Sequence, residues 1–444
     1  MLTTPESIRT LQRKLYRKAK QQPAYRFYAL YDKVYRADIL SHAYCLVRAN
    51  QGSAGVDGVT FKAIEKAEGQ TAFIAELQEA LKSRSYAPSP VKRVMIPKAD
   101  GSKRPLGIPT IRDRVAQMAV KLVIEPIFEA DFCDSSYGFR PKKSAHDAVN
   151  DIAYALNCGY TDVIDADVSK YFDSIPHAKL MAVVAERIVD GAILHILRMW
   201  LKAPVVGEDG DGTRQSIGGG KANSLGTPQG GVISPLLANL YLHLLDRLWN
   251  RQHLQRRLEA RLVRYADDFV VLCRKGTEQP MEVIRRVFHR LGLRLNEQKT
   301  RVVNARQESF DFLGFTFRMN VSRTTGNAYP HVQPSMKSLQ EIKSYMTELT
   351  HRRRSILPLP LVMKRVNEVL MGWLEYFHYR NCSKQLEQLK GHVEQRVRTH
   401  LCKRHKIRSR WQGYILYPNR LLYAKYGLFK VPTTAGWTRA HALR

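Results

Sequence analysis

The segment that most constrains the fold is RLVRYADDFVVLC, residues 261–273, in which two adjacent aspartates separate two apolar runs. Apolar and β-branched residues on both sides of a short polar tip predict two strands joined by a turn at Tyr265, Ala266, Asp267 and Asp268. Such a tip suits Mg²⁺, which takes hard oxygen ligands and usually keeps only one or two protein carboxylates. The alternative is an ordinary turn, because aspartate favours turns through its own backbone hydrogen bonds.

A second acidic segment, VIDADVS, alternates like a strand and ends at a polar junction. Phosphoryl transfer by two metal ions needs carboxylates from separate chain segments that converge on the ions. Asp167, at the predicted strand end, is therefore the candidate partner of Asp267 and Asp268. Asp165 competes with it, since alternation puts both on one face, and Asp173 is a weaker alternative.

The charge balance points to a polyanionic partner. Lys and Arg outnumber Asp and Glu by 71 to 40, a formal net charge of +31. Nucleic acid is favoured, because phosphate contacts release condensed counterions, over the alternatives of a ribosome or an anionic membrane surface. Residues 331–444 hold 22 Lys and Arg against 6 Asp and Glu, so we expect that end to bind a phosphate backbone.

Local patterns predict an α+β chain that ends in helices. The basic run from Val91 to Arg104 predicts a hairpin. Ser234 and Pro235 predict a helix start, with the serine as N-cap. Beyond Pro334, three successive amphipathic helices with basic outer faces predict a small helical domain.

Cysteine usage and hydropathy bear on location. The six cysteines contain no C-x-x-C pair, which argues against a cysteine zinc site or a disulfide framework and favours a reducing compartment. We see neither an apolar signal core nor a run of about 18 apolar residues that could span a bilayer. A cytoplasmic protein without a membrane partner is expected.

Seven segments make the chain similar, in order, to the group II intron reverse transcriptases: KRVMIPKADGSKRPLGIPT, SSYGFRP, DADVSKYFDSI, GTPQGGVISPLLANLYL, YADD, LRLNEQKT and FDFLGF. The helices that follow resemble the maturase (X or thumb) domain of that family. The resemblance implies a right-hand polymerase, with α+β fingers and palm followed by an all-helical thumb. It also implies an RNA-directed DNA polymerase that uses two Mg²⁺ ions, with Mn²⁺ as a substitute.

The resemblance further assigns catalytic roles. Asp167 matches the first catalytic aspartate, and Asp267 and Asp268 match the YADD pair. Together with the backbone carbonyl of Val168, they are the implied metal ligands. Phe172 matches the aromatic residue that packs under the incoming sugar and rejects a 2′-hydroxyl; its alternative role is a plain core aromatic.

Nucleotide contacts are implied for the fingers and one loop. The implied triphosphate-binding cations are Lys92, Arg93, Lys98 and Arg104. A solvated basic strand is the alternative for each of them. Gln229 matches a residue that contacts the nucleotide, and Gly230 and Gly231 would let the backbone approach closely.

The maturase segment carries candidate RNA-binding residues. These cations are Arg352, Arg353, Arg354, Lys403, Arg404, Lys406, Arg408 and Arg410. Aromatic residues interleaved with them suit structured or single-stranded RNA. We expect Trp373 in the helix core, while Tyr376, Tyr379 and Trp411 are open.

The expected organisation has four parts. These are an N-terminal helical extension with the start of the fingers (1–90), fingers and palm (91–325), a helical thumb or maturase domain (326–402) and a basic segment (403–444). About forty residues follow the thumb, without paired cysteines, so we expect no HNH endonuclease. Implied partners are group II intron RNA, an RNA template with a DNA or RNA primer, dNTPs and target DNA. Two rivals are a splicing factor with an inactive polymerase, which intact aspartates argue against, and a reverse transcriptase recruited to defence or repair.

Overall fold

The structure is a computed structural model that describes residues 2–67, 69–97, 101, 103–208 and 214–437. Over these residues, no helix is both long and apolar enough to cross a membrane. Helices and three β-sheets make up the described chain, which confirms the predicted α+β class.

The elements follow the predicted order of a mixed region and then a helical one. The strands are β1 (Val91–Pro97), β2 (Lys103–Ile108), β3 (Asp162–Ala166), β4 (Val205–Glu208), β5 (Arg214–Gly218), β6 (Ala260–Tyr265), β7 (Asp268–Cys273), β8 (Arg301–Asn304), β9 (Phe310–Phe312), β10 (Phe315–Val321) and β11 (Ala328–Pro334). The helices before the last strand are α1 (Glu6–Gln21), α2 (Tyr31–Val34), α3 (Ala37–Ala49), α4 (Phe61–Ala67), α5 (Gly69–Lys82), α6 (Ile111–Glu129), α7 (Ala145–Asn157), α8 (Tyr171–Ser174), α9 (His177–Ala185), α10 (Gly191–Leu201), α11 (Ser234–Arg251), α12 (Leu254–Arg257) and α13 (Glu278–Leu291). The later helices are α14 (Met336–Leu349), a 3₁₀ helix (Arg352–Ile356), α15 (Leu359–Phe377), α16 (Ser383–Arg404), α17 (Arg410–Leu416) and α18 (Asn419–Ala424).

The fingers sheet has the strand order β2-β1-β4-β5. β1 and β2 form the predicted antiparallel hairpin, and β4 joins β1 in parallel. α1 and α3 pack against α6; Ile8, Leu15 and Ala19 of α1 are buried because they recur on one helix face. Lys98, a predicted nucleotide-binding residue, lies outside the described residues.

The palm sheet has the order β6-β7-β3-β8, with every neighbouring pair antiparallel. Alternate residues of β7 enter two different cores. Phe269 and Val271 pack in the core that includes α11 and α13, whereas Val270 and Leu272 pack in the core with α7 and β10. Because both faces of this strand are buried beyond Asp268, its sequence is apolar from Phe269 to Cys273.

A third sheet, β11-β10-β9, links the palm to the thumb. The three predicted thumb helices are confirmed as α14, α15 and α16, and they share one apolar core. At the junction, the imidazole of His146 in α7 stacks on Tyr379 with a centroid distance of 4.1 Å. Its Nε2 lies 2.7 Å from the carbonyl oxygen of Tyr376, so the thumb base is held against the palm.

One helix start differs from its prediction. Ser234 is the first residue of α11 rather than its N-cap, which is Ile233. The Ser234 hydroxyl donates to the Pro228 carbonyl at 2.8 Å and thereby anchors the preceding loop. The expected thumb limit at residue 402 falls within α16, and the four-part division stays a prediction.

Candidate active site

The Asp-Asp turn joins two buried strands. Tyr265 of β6 lies opposite Asp268 of β7, and Ala266 between them has a left-handed φ of 58°. Gly138 packs against this turn so closely that a Cβ there would lie 2.4 Å from the Ala266 nitrogen. The SSYGFRP segment therefore needs a glycine at this contact, where any side chain would displace the turn.

Asp167 meets the turn from the neighbouring strand. Ala166 of β3 lies opposite Phe269 of β7, so Asp167 emerges beside Asp268 at the same end of the sheet. Asn296 holds Asp167 twice: its backbone N–H donates to the carbonyl at 2.8 Å, and its Nδ2 donates to Oδ2 at 3.1 Å. The structure thus brings all three predicted catalytic aspartates together.

Val168 follows Asp167 and pairs with Leu295 in an isolated antiparallel bridge. The two flanking hydrogen bonds run from Asn296 N to Asp167 O at 2.8 Å and from Ser169 N to Arg294 O at 2.9 Å. Because backbone groups alternate in direction along an extended chain, the Val168 carbonyl points to the other side, which is the β7 side. That direction suits its predicted role as a metal ligand.

The carboxylates of the site perturb one another. Burial raises the pKa of Asp267. Burial, followed by the charges of Asp267 and Asp167, raises the pKa of Asp268 to about 6. Burial also raises the pKa of Asp165 to about 6. Repulsion of this kind is relieved when a cation binds, and the donors are the hard oxygens that Mg²⁺ prefers.

The described side chains do not by themselves supply a complete coordination shell for a metal ion. Among the residues that the structure describes, no three His, Cys, Asp or Glu side chains are arranged to hold a metal ion by themselves. The donor set still fits a divalent cation, because Mg²⁺ usually takes only one or two protein carboxylates and fills its other positions with water and phosphate oxygens.

The fingers hairpin divides its cations between two faces. Lys92 lies opposite Ile108, and Arg104 lies opposite Ile96. Since side chains alternate along a strand, Lys92 and Arg104 share one face, while Arg93 lies on the other. The positive charge of Arg104 lies close enough to Asp267 to lower the pKa of that carboxyl, against the larger effect of burial, which raises it.

The loop after β5 lies against the hairpin. Arg104 Nε donates to Gln229 Oε1 at 2.9 Å, and Gln229 Nε2 donates to Asp173 Oδ2 at 3.5 Å. A Cβ at Gly230, where φ is 107°, would lie 2.2 Å from the Gly107 carbonyl oxygen. Two predicted nucleotide-binding residues are therefore linked by a direct hydrogen bond.

Phe172 lies at the edge of the palm core with 9% of its surface exposed. Its backbone carbonyl accepts a hydrogen bond from Thr227 N at 2.7 Å, which ties α8 to the Gln229 loop. The ring of Tyr171 packs edge-on against it at 5.6 Å. The position is compatible with both a steric wall and a core aromatic.

Arg264 is a residue of this site that sequence reasoning missed. It is fully buried next to the turn, and its Nη1 donates to the Ala266 carbonyl at 2.8 Å. The available signal was a second arginine, three residues after Arg261, inside the mostly apolar strand RLVRY. A buried arginine needs partners, and its side-chain partners Ser136, Asn239 and Asp246 all lie outside this hairpin.

Two groups of thumb cations are joined by Arg404. Arg404 Nη1 donates to the Ser355 carbonyl at 2.9 Å and to the Leu357 carbonyl at 2.7 Å, which joins the end of α16 to the 3₁₀ helix. This contact brings Arg352 and Arg353, both exposed, towards the α16–α17 cations. Of the predicted cations, Lys403, Lys406, Arg408 and Arg410 are exposed, whereas Arg354 is half-buried and pairs with Glu348 at 3.0 Å.

The aromatic residues near these cations have different environments. Tyr379 is fully buried, and the Tyr376 hydroxyl donates to the Leu313 carbonyl at 2.9 Å, so both belong to the palm–thumb junction. Trp373 packs on the thumb core, as expected. Trp411 in α17 is 73% exposed and is the one of the four available for stacking.

Two family models match the chain. The reverse transcriptase (RNA-dependent DNA polymerase) model matches residues 96–317, and the group II intron maturase-specific domain matches residues 339–414. The first match includes the three converging aspartates. Fold, site and match together define a polymerase of the reverse transcriptase class, an RNA-directed DNA polymerase that uses divalent metal.

Similar proteins narrow that class. Protein YkfC of Escherichia coli (strain K12) is 36% identical over 69% of this chain and 87% of its own length. Group II intron-encoded protein LtrA of Lactococcus lactis subsp. cremoris is 30% identical over 67% of this chain and 58% of its own length. An uncharacterized 91 kDa protein in a cob intron of Schizosaccharomyces pombe is 26% identical over 78% of this chain and 50% of its own. The chain spans only about half the length of the last two relatives. It belongs to the group II intron-encoded reverse transcriptases that carry a maturase domain.

Proposed function

We propose that this chain copies intron RNA into DNA by adding deoxynucleotides to a primer. In this reaction the primer 3′-hydroxyl attacks the α-phosphate of a dNTP, and pyrophosphate leaves. The observation that carries the proposal is the convergence of Asp167 with Asp267 and Asp268 beside the basic fingers hairpin.

The residues proposed to hold two Mg²⁺ ions, or Mn²⁺ in their place, are Asp167, Asp267, Asp268 and the carbonyl of Val168. When bound there, the metal lowers the pKa of the attacking hydroxyl and neutralises the leaving phosphates. Asn296 keeps Asp167 in position through its two hydrogen bonds. The orientation of the carboxylates matters for the reaction rate, because small misplacements of reacting groups lower that rate strongly.

The proposed dNTP site lies between the fingers and the palm. Lys92 and Arg104 on one face of the hairpin, with Lys98 and Arg93, supply positive charge for the triphosphate. Gln229 contacts the nucleotide, and the Phe172 ring blocks a 2′-hydroxyl. The Arg104–Gln229 hydrogen bond of 2.9 Å supports a common site, because it joins two of these residues.

The thumb is proposed to bind the parent intron RNA so that the intron folds and splices. Its exposed cations, its lack of Asp and Glu between residues 403 and 437, and the exposed Trp411 suit a phosphate backbone beside unpaired bases. After splicing, the complex would act on target DNA and reverse-transcribe the intron into it (retrohoming). We propose a cytoplasmic location for these steps.

Primer extension tests the polymerase. The wild type, Asp267→Ala and Asp134→Ala are compared on an RNA template with a DNA primer, dNTPs and Mg²⁺. Asp134 is the matched control, because its side chain is fully exposed. We expect extension by the wild type and the control, none by Asp267→Ala, and none by any of them in EDTA.

Other outcomes would change the assignment. A wild type that binds intron RNA but does not extend primers would indicate a non-catalytic splicing factor. Activity without a catalytic intron RNA encoded around the gene would indicate a reverse transcriptase domesticated for defence or repair.

A further inference from the structure

Arg264 uses every donor of its guanidinium. Nε donates to Asp246 Oδ1 at 2.9 Å, and Nη2 donates to Asp246 Oδ2 and to Ser136 Oγ, the latter at 2.7 Å. Nη1 donates to Asn239 Oδ1 at 3.0 Å and to the Ala266 carbonyl at 2.8 Å. Both Arg264 and Asp246 are fully buried, so this planar fork cannot exchange its partners for water.

The fifth of these bonds acts on the catalytic turn. The Ala266 carbonyl belongs to the peptide that joins Ala266 to Asp267, and that peptide is planar. Fixing the carbonyl therefore fixes the direction in which Asp267 leaves the turn. Ala266 also has a φ of 58°, a conformation that non-glycine residues keep only when surrounding contacts enforce it.

A second contact encloses the same turn. Asn239 accepts from Arg264 with its Oδ1 and donates from Nδ2 to the Gly138 carbonyl at 2.6 Å. Gly138 in turn packs directly on the Ala266 nitrogen. Arg264 and the Gly138 backbone thus both contact the turn, and Asn239 links the two through its hydrogen bonds.

Stability alone does not account for this arrangement. A buried ion pair is costly to desolvate, and apolar residues of similar volume often stabilise a fold as well or better. The arginine does something that an apolar residue cannot do: it presents oriented N–H groups to the carbonyl immediately before the first YADD aspartate.

We propose that Arg264 is a positioning residue of the polymerase site, which holds the Ala266–Asp267 peptide so that Asp267 faces the reacting phosphate. The inference rests on the proposed polymerase function. Arg264 affects the rate of nucleotide addition and the dependence of that rate on Mg²⁺. It acts through Asp267 and does not contact the substrate.

The test compares the variant Arg264→Lys with a control variant, Arg187→Lys. Lysine keeps the charge but loses the planar fork that reaches several acceptors. Arg187 is a matched control, because it is buried, pairs with Asp131 at 2.9 Å and donates to the Ala19 carbonyl at 2.8 Å. Measurements are the single-turnover rate of dNTP addition, the Mg²⁺ concentration that gives half of that rate, the affinity for the primer–template and the melting temperature.

We expect Arg264→Lys to lower the rate by about a hundredfold and to raise the half-saturating Mg²⁺ concentration severalfold. Primer–template affinity should stay unchanged, and Arg187→Lys should change neither the rate nor the Mg²⁺ dependence by a comparable amount. Equal effects of the two variants, or an unshifted Mg²⁺ dependence in Arg264→Lys, would overturn the positioning role.

If Arg264→Lys does not fold, Ser136→Ala decides the question, because it removes only the 2.7 Å contact to Nη2. A reduced rate with a raised half-saturating Mg²⁺ concentration supports the proposal, and an unchanged Mg²⁺ dependence overturns it. Failure of the proposed function is distinct, because the wild type itself would then not extend primers.

Discussion

Arg104 Nε donates a hydrogen bond to Oε1 of Gln229 across 2.9 Å, and this bond joins the fingers hairpin to the loop beside the palm. The two residues lie 125 positions apart in the sequence. The family resemblance implies a nucleotide contact for each of them, and the structure brings the two side chains into direct contact.

Coupling between these two residues is the first prediction. We expect Arg104→Ala and Gln229→Ala each to raise the KM for dNTP, and the double variant to lose less than the product of the two single effects. Steady-state kinetics of the four proteins measure the coupling. Strictly multiplicative effects would show that the bond has no role in nucleotide binding.

Asp167 rather than Asp165 is expected to be catalytic. Asp165 lies within the strand, opposite Val270 and Arg301, whereas Asp167 emerges at its end. Asp167→Asn should lower primer extension by at least about a thousandfold, and Asp165→Asn by less than about tenfold. Comparable losses in both variants would give Asp165 a place among the metal ligands.

Phe172→Val is expected to admit ribonucleotides. Removing the ring removes the proposed steric wall, so the ratio of kcat/KM for dNTP to that for rNTP should fall about tenfold or more. Tyr171→Phe is the control, since it removes one hydroxyl bond to the Ala238 carbonyl and keeps the ring. An unchanged ratio in Phe172→Val would make Phe172 a core aromatic only.

Gly230→Ala should lower the stability of the fold and weaken dNTP binding more than Gly220→Ala does. Both glycines have a positive φ, so both substitutions strain the backbone by about 1 kcal/mol. At Gly230 the new Cβ would also collide with the Gly107 carbonyl, whereas at Gly220 no atom lies within 4 Å. We expect a larger loss in the urea midpoint of unfolding and a raised KM for dNTP in Gly230→Ala alone.

Similar urea midpoints for the two glycine variants would show that the Gln229 loop can shift to accommodate the new Cβ without loss of stability. In that case the close approach between the Gln229 loop and the fingers hairpin would not be needed for the site.

Neutralising Lys406, Arg408 and Arg410 to Gln should weaken RNA binding. If each side chain contacts one phosphate, the slope of log K against log salt should become shallower by about 0.7 per contact, or about 2 in total. Filter binding of intron RNA between low and moderate salt measures the slope.

The control for this prediction is Arg285→Gln with Arg286→Gln on α13. Both arginines are exposed, and each pairs with a glutamate, Glu297 or Glu282. An equal change of slope in this control would mean that the weaker RNA binding results from the lower net charge of the protein. The three thumb cations would then not form a specific binding surface.

Local patterns predicted the elements that carry the site. The hairpin around Asp267 and the basic hairpin beginning at Val91 are confirmed, and the strand predicted to end at Asp167 ends one residue earlier, at Ala166. Each depends on alternation or turn chemistry within a few residues, and so it can be inferred from a short stretch of sequence. The thumb helices were predictable for the same reason, because their apolar residues recur on one face.

The partners of Arg264 were not predictable in this way. Its acceptors come from three segments: Ser136 before α7, Asn239 and Asp246 in α11, and Ala266 in the turn. In sequence, Arg264 is only a charged residue in an apolar strand. The third sheet, β9 to β11, escaped prediction because its strands pack mainly against distant α7.

The sequence by itself determined the secondary structure around the site, the overall excess of positive charge and, through the motif order, the protein family. These follow from steric preferences and periodicities that act over a few residues. Only the tertiary structure decided which carboxylates meet, that Lys92 and Arg104 share one face of the fingers hairpin, and which residues hold the Asp-Asp turn. The reason is that strand register and buried hydrogen bonds depend on surfaces contributed by segments about a hundred residues apart, which no local pattern encodes.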